Sequence, residues 1–279
     1  MTALMIRPLT DRLGAEVAML DPDRLATDVT LAGPVLDALD ANGVLVFREL
    51  DLDPEDQVAF CRHLGEVDEL EGHHPVPGIY RVTLDPSKNA SAAYLRATFD
   101  WHIDGCTPAA GECPQKATVL SARVVASTGG ETEFASTYAA YDRLRDEEKE
   151  RLGSLRVVHS LEASQRRVTP DPTPEQLARW RARPTSEHPL VWTHRSGRRS
   201  LVLGASADHV VGMDVDEGRA LLDELLGRAT AEGVYRHEWS VGDTVIWDNR
   251  GVLHRVAPYD AASPREMFRT TVLGDEPIE

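Results

Sequence analysis

Residues 244–260 read TVIWDNRGVLHRVAPYD, and this stretch decides the fold class. Residues 244–247 read as a strand. Asp248-Asn249-Arg250 then reads as a turn that orients His254, which falls just after the strand and the turn. Residues 235–239 upstream and 267–273 downstream read as strands as well. So do residues 43–47 (GVLVF), 79–84, 117–125, 131–135, 155–161 and 190–193, with Gly129-Gly130 as a turn signal. Fewer segments read as helix. Asp53 can cap one that starts at Pro54 and stops at Gly65. Residues 136–152 read as helix in two pieces, and residues 215–231 carry Leu221, Leu222, Leu225 and Leu226 on one side. Many strands with a few helices outside them imply a mainly β fold, a sandwich or barrel buttressed by α-helices.

The chain has 279 residues, 42% hydrophobic and 27% charged, which suits a globular core rather than disorder or a membrane protein. No repeat or low-complexity linker divides it, so residues 1–279 are expected to form a single domain. A formal net charge of −16 excludes wholesale nucleic-acid binding, which needs a basic face. Cys61, Cys106 and Cys113 follow neither a disulfide nor a zinc spacing, which points to a reducing, cytoplasmic setting. The opening MTALMIRPLT lacks the apolar core of a signal peptide, and no apolar run is long enough to cross a bilayer. Residues 162–189 are polar and proline-containing. They read as a surface loop with one short helix near residues 175–182.

The sharpest chemical feature is Trp101-His102-Ile103-Asp104. On extended chain, residues two apart share a face, so His102 and Asp104 could hold one metal ion. A second histidine would complete a two-His-one-carboxylate facial triad, which leaves three positions open on iron(II). His254 is the natural third donor. An H-x-D by itself reads more readily as a core histidine followed by a turn at Asp104-Gly105. Further on, Arg265 and Arg269 in SPREMFRTTVLGDEP lie an even number of residues apart. A strand would point both guanidiniums to one face, where each could grip an acid group.

Together these segments resemble the TauD/TfdA family of 2-oxoglutarate-dependent dioxygenases. The resemblance runs from GVLVFRELDLDPEDQVAFCRHLGEV through WHIDG, SARVVASTGGETEFASTYAAYDRL and HSL to VGDTVIWDNRGVLHRVAPYD and PREMFRTTVLGDEP. SARVV, GGETEFA and HRVAPYD are nearer the 2,4-dichlorophenoxyacetate dioxygenase branch than the taurine branch. The resemblance implies a double-stranded β-helix, that is, a jelly roll of the cupin kind. It implies His102, Asp104 and His254 as ligands to Fe(II), and Thr132 and Arg265 as partners of the distal carboxylate of 2-oxoglutarate. Arg269 would grip a carboxylate or sulfonate on the substrate, and His74 falls where taurine enzymes place a substrate-contacting histidine. O2 would be the second co-substrate, and succinate and CO2 would leave as the substrate is hydroxylated. Desaturation or cyclisation at the same iron is the alternative outcome.

Pro77 stands where the taurine enzymes carry an aromatic residue, and LVLGASADHVVGM lacks the aromatic that closes their pocket, which argues against taurine. Residues 71–98 and 162–189 are expected to fold over the site. Family members often form dimers or tetramers, so a homo-oligomer stays open. Two rival readings remain. A zinc hydrolase could use the same three donors but would need neither O2 nor the keto-acid arginine. A non-catalytic binding module would be expected to have lost one of these groups.

Overall fold

The computed structural model describes residues 4–18, 22–69, 74–108 and 112–279. His73, and residues 71 and 72 at the start of the 71–98 segment, lie outside the described residues. A seven-stranded sheet runs from edge to edge as β1 (Met5–Pro8), β2 (Ala15–Ala18), β3 (Val44–Phe47), β13 (Thr244–Asp248), β5 (Ala117–Val124), β15 (Glu266–Val272) and β4 (Tyr80–Val82). Three smaller sheets join it: β12 (Tyr235–His237) with β6 (Thr132–Ser136) and β14 (Val252–Val256), β11 (Ala207–Val210) with β7 (Arg156–His159) and β8 (Ser186–Pro189), and the pair β9 (Val191–Thr193) and β10 (Arg199–Leu201). Only β2 and β3 pair in parallel; the other named strand pairs are antiparallel.

β13 lies between β3 and β5, and all five of its residues are buried. A strand covered on both faces cannot alternate polar with apolar, which is why residues 244–247 show no such alternation. Its register separates two cores. Trp247 faces Val44 and Thr118, and Val245 faces Val46 and Leu120. Paired residues project to one side of a sheet. That side packs on Phe134, Tyr235 and Val252 of the β12–β6–β14 sheet. The other side, with Leu45, Phe47, Val119 and Ile246, packs on α1 (Pro22–Thr27), α2 (Ala32–Asn42) and α3 (Pro54–Leu64). A third core joins the remaining sheets to α4 (Thr137–Asp142), α5 (Asp146–Gly153) and α8 (Val215–Thr230).

Local expectations hold where caps and periodicity agree. Asp53 accepts from Asp56 N at 2.8 Å, with Pro54 next and Gly65 closing α3. Leu222 and Leu225 of α8 are buried, with Leu221 and Leu226 packed beside them. The 162–189 segment is more ordered than a loop with one helix. It carries α6 (Leu161–Val168), α7 (Pro174–Arg181) and β8, with Ser160 and Thr173 as N-caps. Each of these two helices buries a single residue, Gln165 in α6 and Trp180 in α7, so neither leaves an apolar stripe in the sequence. His254 does follow β13 and its turn, but it lies inside a further strand, β14. Among the described residues no helix is long and apolar enough to cross a membrane.

Candidate functional site

His102 and His254 meet through the backbone. Each donates its N–H to the other's carbonyl at 2.9 Å, forming an isolated antiparallel bridge. Residues paired this way project side by side, and the two rings lie 4.1 Å apart. Asp104 follows two residues later, at the start of a turn. The turn needs Gly105, whose φ is +76° and where a Cβ would come within 2.7 Å of the Gln115 nitrogen. A turn at Asp104-Gly105 and a shared site with His102 therefore coexist.

Donor atoms of His102, Asp104 and His254 all lie within 4.8 Å of one another. His102 Nε2 is 3.8 Å from Asp104 Oδ1, and His254 Nε2 is 3.6 Å from Oδ2. The Nδ1 of His102 donates to the Asp100 carbonyl at 2.9 Å, which leaves Nε2 with its lone pair free. The His254 ring packs on Trp247 at 4.7 Å and stacks on Phe134 at 6.3 Å.

Burial, with His102 and Arg269 nearby, pushes His254 down to about 3, so its imidazole is neutral. Burial would raise the Asp104 carboxyl, yet His254, Arg269, His102 and the Thr118 hydroxyl outweigh it and hold it at about 2. A neutral His254 imidazole and an ionised Asp104 carboxylate are protonation states that a divalent cation requires of its ligands. The donor set is that of a facial triad with open positions.

The structure brings three of the other expected residues to the same inner face or its edge. Arg269 lies on β15 opposite Leu120, with Nη1 4.0 Å from Asp104 Oδ1 and its guanidinium 4.7 Å from the Tyr80 ring. Arg265, four residues earlier, is 2% exposed. Its Nη2 donates to Gly130 O at 3.2 Å, and its guanidinium sits 5.0 Å from the Tyr259 ring. The nearby Glu131 is paired with Arg236 at 3.0 Å instead. No ion pair forms at Arg265 among the described residues, and burial lowers its pKa. Thr132 is opposite Val256, two pairs along from the Phe134–His254 pair, and so shares the face of His254. Its Oγ1 accepts from Trp239 Nε1 at 3.0 Å, and Trp239 and Arg265 line one cavity of about 140 Å³.

His74 does not join them. Its ring packs 4.8 Å from Phe268, which leaves β15 on the opposite side from Arg269 and lies among Val58 and Ile79. Alternation along β15 puts Phe268, and the His74 ring packed on it, on the helix side of the sheet. Trp239 packs against the core around Phe134 and Trp247 and also donates to Thr132. The sequence assigns no role to Thr118, Tyr80 or Tyr259, and marks Asn249 only as part of the turn before His254. Only the strand register gives a signal for Thr118: a polar residue inside an apolar run that faces Trp247.

A family model described as taurine catabolism dioxygenase TauD, TfdA family matches residues 5–271. The chain is 39% identical over 262 residues to the alpha-ketoglutarate-dependent 2,4-dichlorophenoxyacetate dioxygenase of Burkholderia sp. (strain RASC), covering 85% of this chain and 83% of that one. It is 32% identical to the alpha-ketoglutarate-dependent sulfate ester dioxygenase of Pseudomonas putida, over 99% and 91% of the two chains. Among solved structures, AAD-2 in complex with Mn(II) and N-oxalylglycine superposes with a TM-score of 0.84 at 36% identity, covering 100% of both chains.

Proposed function

The chain belongs to the TauD, TfdA family of dioxygenases, and from that membership we propose an iron(II)- and 2-oxoglutarate-dependent enzyme that hydroxylates a small carboxylate, sulfate or sulfonate anion. The two facing sheets are then the two halves of a jelly roll, and residues 1–279 act as one catalytic domain. The observation that carries the proposal is the convergence of His102, Asp104 and His254 within 4.8 Å. These three residues would hold the metal. Iron(II) so held, with 2-oxoglutarate and O2, supplies the oxidising power: the keto acid leaves as succinate and CO2, and one oxygen atom enters a substrate C–H bond.

The protein's own contribution is placement. Arg265 is a buried cation without a counter-ion among the described residues, a costly state that an incoming carboxylate relieves. Trp239 fills a lone pair of the Thr132 hydroxyl, leaving its O–H free to donate to the same carboxylate. Arg265 and Thr132 together would bind the distal end of 2-oxoglutarate. Arg269 sits beside the carboxylate of the triad with its buried Nε unpartnered, so it can anchor the acid group of the substrate. Restrained between the metal and that anchor, the target carbon is held in place; a misplacement of about 1 Å can cost roughly a hundredfold in rate. The 74–98 and 161–189 segments, joined where Gln165 Nε2 donates to Tyr94 O at 3.3 Å, would limit water around the reacting atoms. Three free cysteines suit a reducing, cytoplasmic setting.

The test is to incubate the purified protein with iron(II), ascorbate and 2-oxoglutarate, and to screen aryloxyacetates and alkyl sulfate esters for substrate-stimulated succinate. O2-dependent succinate is expected with at least one anion. His102→Ala, Asp104→Ala and His254→Ala should each abolish it. Turnover without O2 and 2-oxoglutarate would instead make the site a hydrolase.

A further inference from the structure

We propose that Thr118 and Asn249 are positioning residues that set the rotation of the Asp104 carboxylate, so that the metal receives one of its oxygens and not both. This rests on the reading of Asp104 as a metal ligand. Thr118 and Asn249 are 0% and 2% exposed, and neither touches the expected co-substrate or substrate anchors by any contact described above. Thr118 Oγ1 donates to Asp104 Oδ2 at 2.8 Å, and Asn249 Nδ2 donates to Thr118 Oγ1 at 2.9 Å.

The direction of both bonds follows from chemistry. An ionised carboxylate only accepts, so the single proton of the Thr118 hydroxyl must point to Asp104. That hydroxyl then has only lone pairs to offer Asn249, so the amide must present its nitrogen and not its oxygen. Asn249 thereby removes the alternative in which the Thr118 proton turns away. One lone pair of Oδ2, which lies 3.6 Å from His254 Nε2, is taken, while Oδ1 faces His102 Nε2 at 3.8 Å with no such bond. A carboxylate free to swing and bind through both oxygens would occupy a position that the open triad reserves for exogenous ligands.

Asn249 can act as a strut because its own turn is rigid. Its backbone N–H donates to Lys116 O at 3.0 Å. Arg250 Nε donates to Asp248 Oδ1 at 2.8 Å, and the Tyr138 hydroxyl reaches Asp248 Oδ2 at 3.3 Å. Gly251 lies flat on the Tyr138 ring, where a Cβ would come within 1.9 Å. The same turn leads directly into β14 and His254. One rigid corner thus delivers one ligand through the backbone and orients another through two side-chain hydrogen bonds.

The experiment measures Mn(II) dissociation constants of chelator-treated protein by electron paramagnetic resonance of free Mn(II), with melting curves of the metal-free variants as a check on folding. Thr118→Val keeps the shape and removes the hydroxyl, and should weaken Mn(II) binding by about 10- to 100-fold, the usual cost of losing an outer-shell partner. Thr118→Ser should restore binding to within about twofold of the parent. Asn249→Leu should weaken it by about tenfold. Because Asn249 works through Thr118, the double variant should bind no worse than Thr118→Val alone. Parental Mn(II) affinity in Thr118→Val, or effects that multiply fully in the double variant, would overturn the proposal. If Thr118→Val does not fold, Asn249→Leu decides by itself, and parental affinity there overturns it. Asp104→Ala is the reference. If it loses Mn(II) while Thr118→Val does not, the positioning role fails and the ligand set stands. If it binds like the parent, the metal site itself fails.

Discussion

On the helix-facing side of β15, Gln57 closes a ring of hydrogen bonds. Its Nε2 donates to Phe268 O and Thr270 Oγ1 at 3.1 Å, and its Oε1 accepts from Ser121 Oγ at 2.6 Å. On the inner side of the same strand, Arg265 is buried with no ion pair among the described residues, and the Nε of Arg269 is buried with no partner. Both sides are polar and both are largely buried. They differ in whether the polar groups satisfy one another. A closed network stabilises the fold, whereas open donors next to a cluster of metal-binding type wait for a ligand from solution. Polarity in a core therefore identifies a site only where it is left incomplete.

The sharpest way to break this contrast is to remove the most deeply buried open donor. Arg265→Ala should raise the 2-oxoglutarate KM by about 100-fold, the size expected for losing a two-point charged contact of about 3 kcal/mol. The substrate KM should change far less. Initial rates of succinate formation at varied 2-oxoglutarate give the answer, and an unchanged requirement would move the keto-acid site elsewhere. Arg269→Ala should show the reverse pattern with a smaller effect, roughly tenfold on the substrate KM, because this guanidinium is partly solvated. If its main effect fell on 2-oxoglutarate, the roles of the two arginines would be exchanged.

The inner side was largely legible in the sequence, and the reason is periodicity. Residues 265, 267 and 269 alternate with 266 and 268, and Met267 is indeed fully buried on the inner face beside Leu120 and Val245. The H-x-D spacing likewise placed His102 and Asp104 together. His74 was not legible, because nothing in HHPVP records which side of β15 the chain crosses; the packing on Phe268 decides that. Thr118 was hidden for a related reason. Within ATVLSARVV it looks like any β-branched strand residue, and only the pairing with Trp247 and the approach of Asp104 give it a role. α6 escaped because its one buried residue is polar.

The closed side can be opened deliberately. Gln57→Leu keeps the volume but leaves the Ser121 hydroxyl and the Phe268 carbonyl without this partner. It should cost about 2 kcal/mol in chemical denaturation while both KM values and kcat stay near the parent. A variant that loses activity without losing stability would show that the two sides of the sheet are coupled.

The smallest effect expected concerns two histidines that belong with the closed regions. Burial and the neighbouring His188 push His159 down to about 3. Burial, against the pull of Glu276, pushes His194 down to about 4. Ser200 Oγ donates to Arg250 O at 2.8 Å, so it accepts from His194 Nε2, which must carry a proton. Both folded values lie below the ordinary 6.5. Below pH 6.5 the unfolded chain therefore takes up protons that the folded chain refuses, and stability falls as pH drops. The decline should begin near 6.5 and level off as each folded value is passed, first near 4 for His194 and then near 3 for His159. Each histidine can contribute a slope of up to about 1.4 kcal/mol per pH unit. Urea midpoints of metal-free protein between pH 7 and 4.5 would show it. His159→Asn, which can still hydrogen-bond Ser206, should flatten the slope but not abolish it, since His194 and the equally depressed His254 still titrate. A midpoint independent of pH over that interval would mean that these imidazoles protonate in place, and that the interior around them is more open to water than their packing indicates.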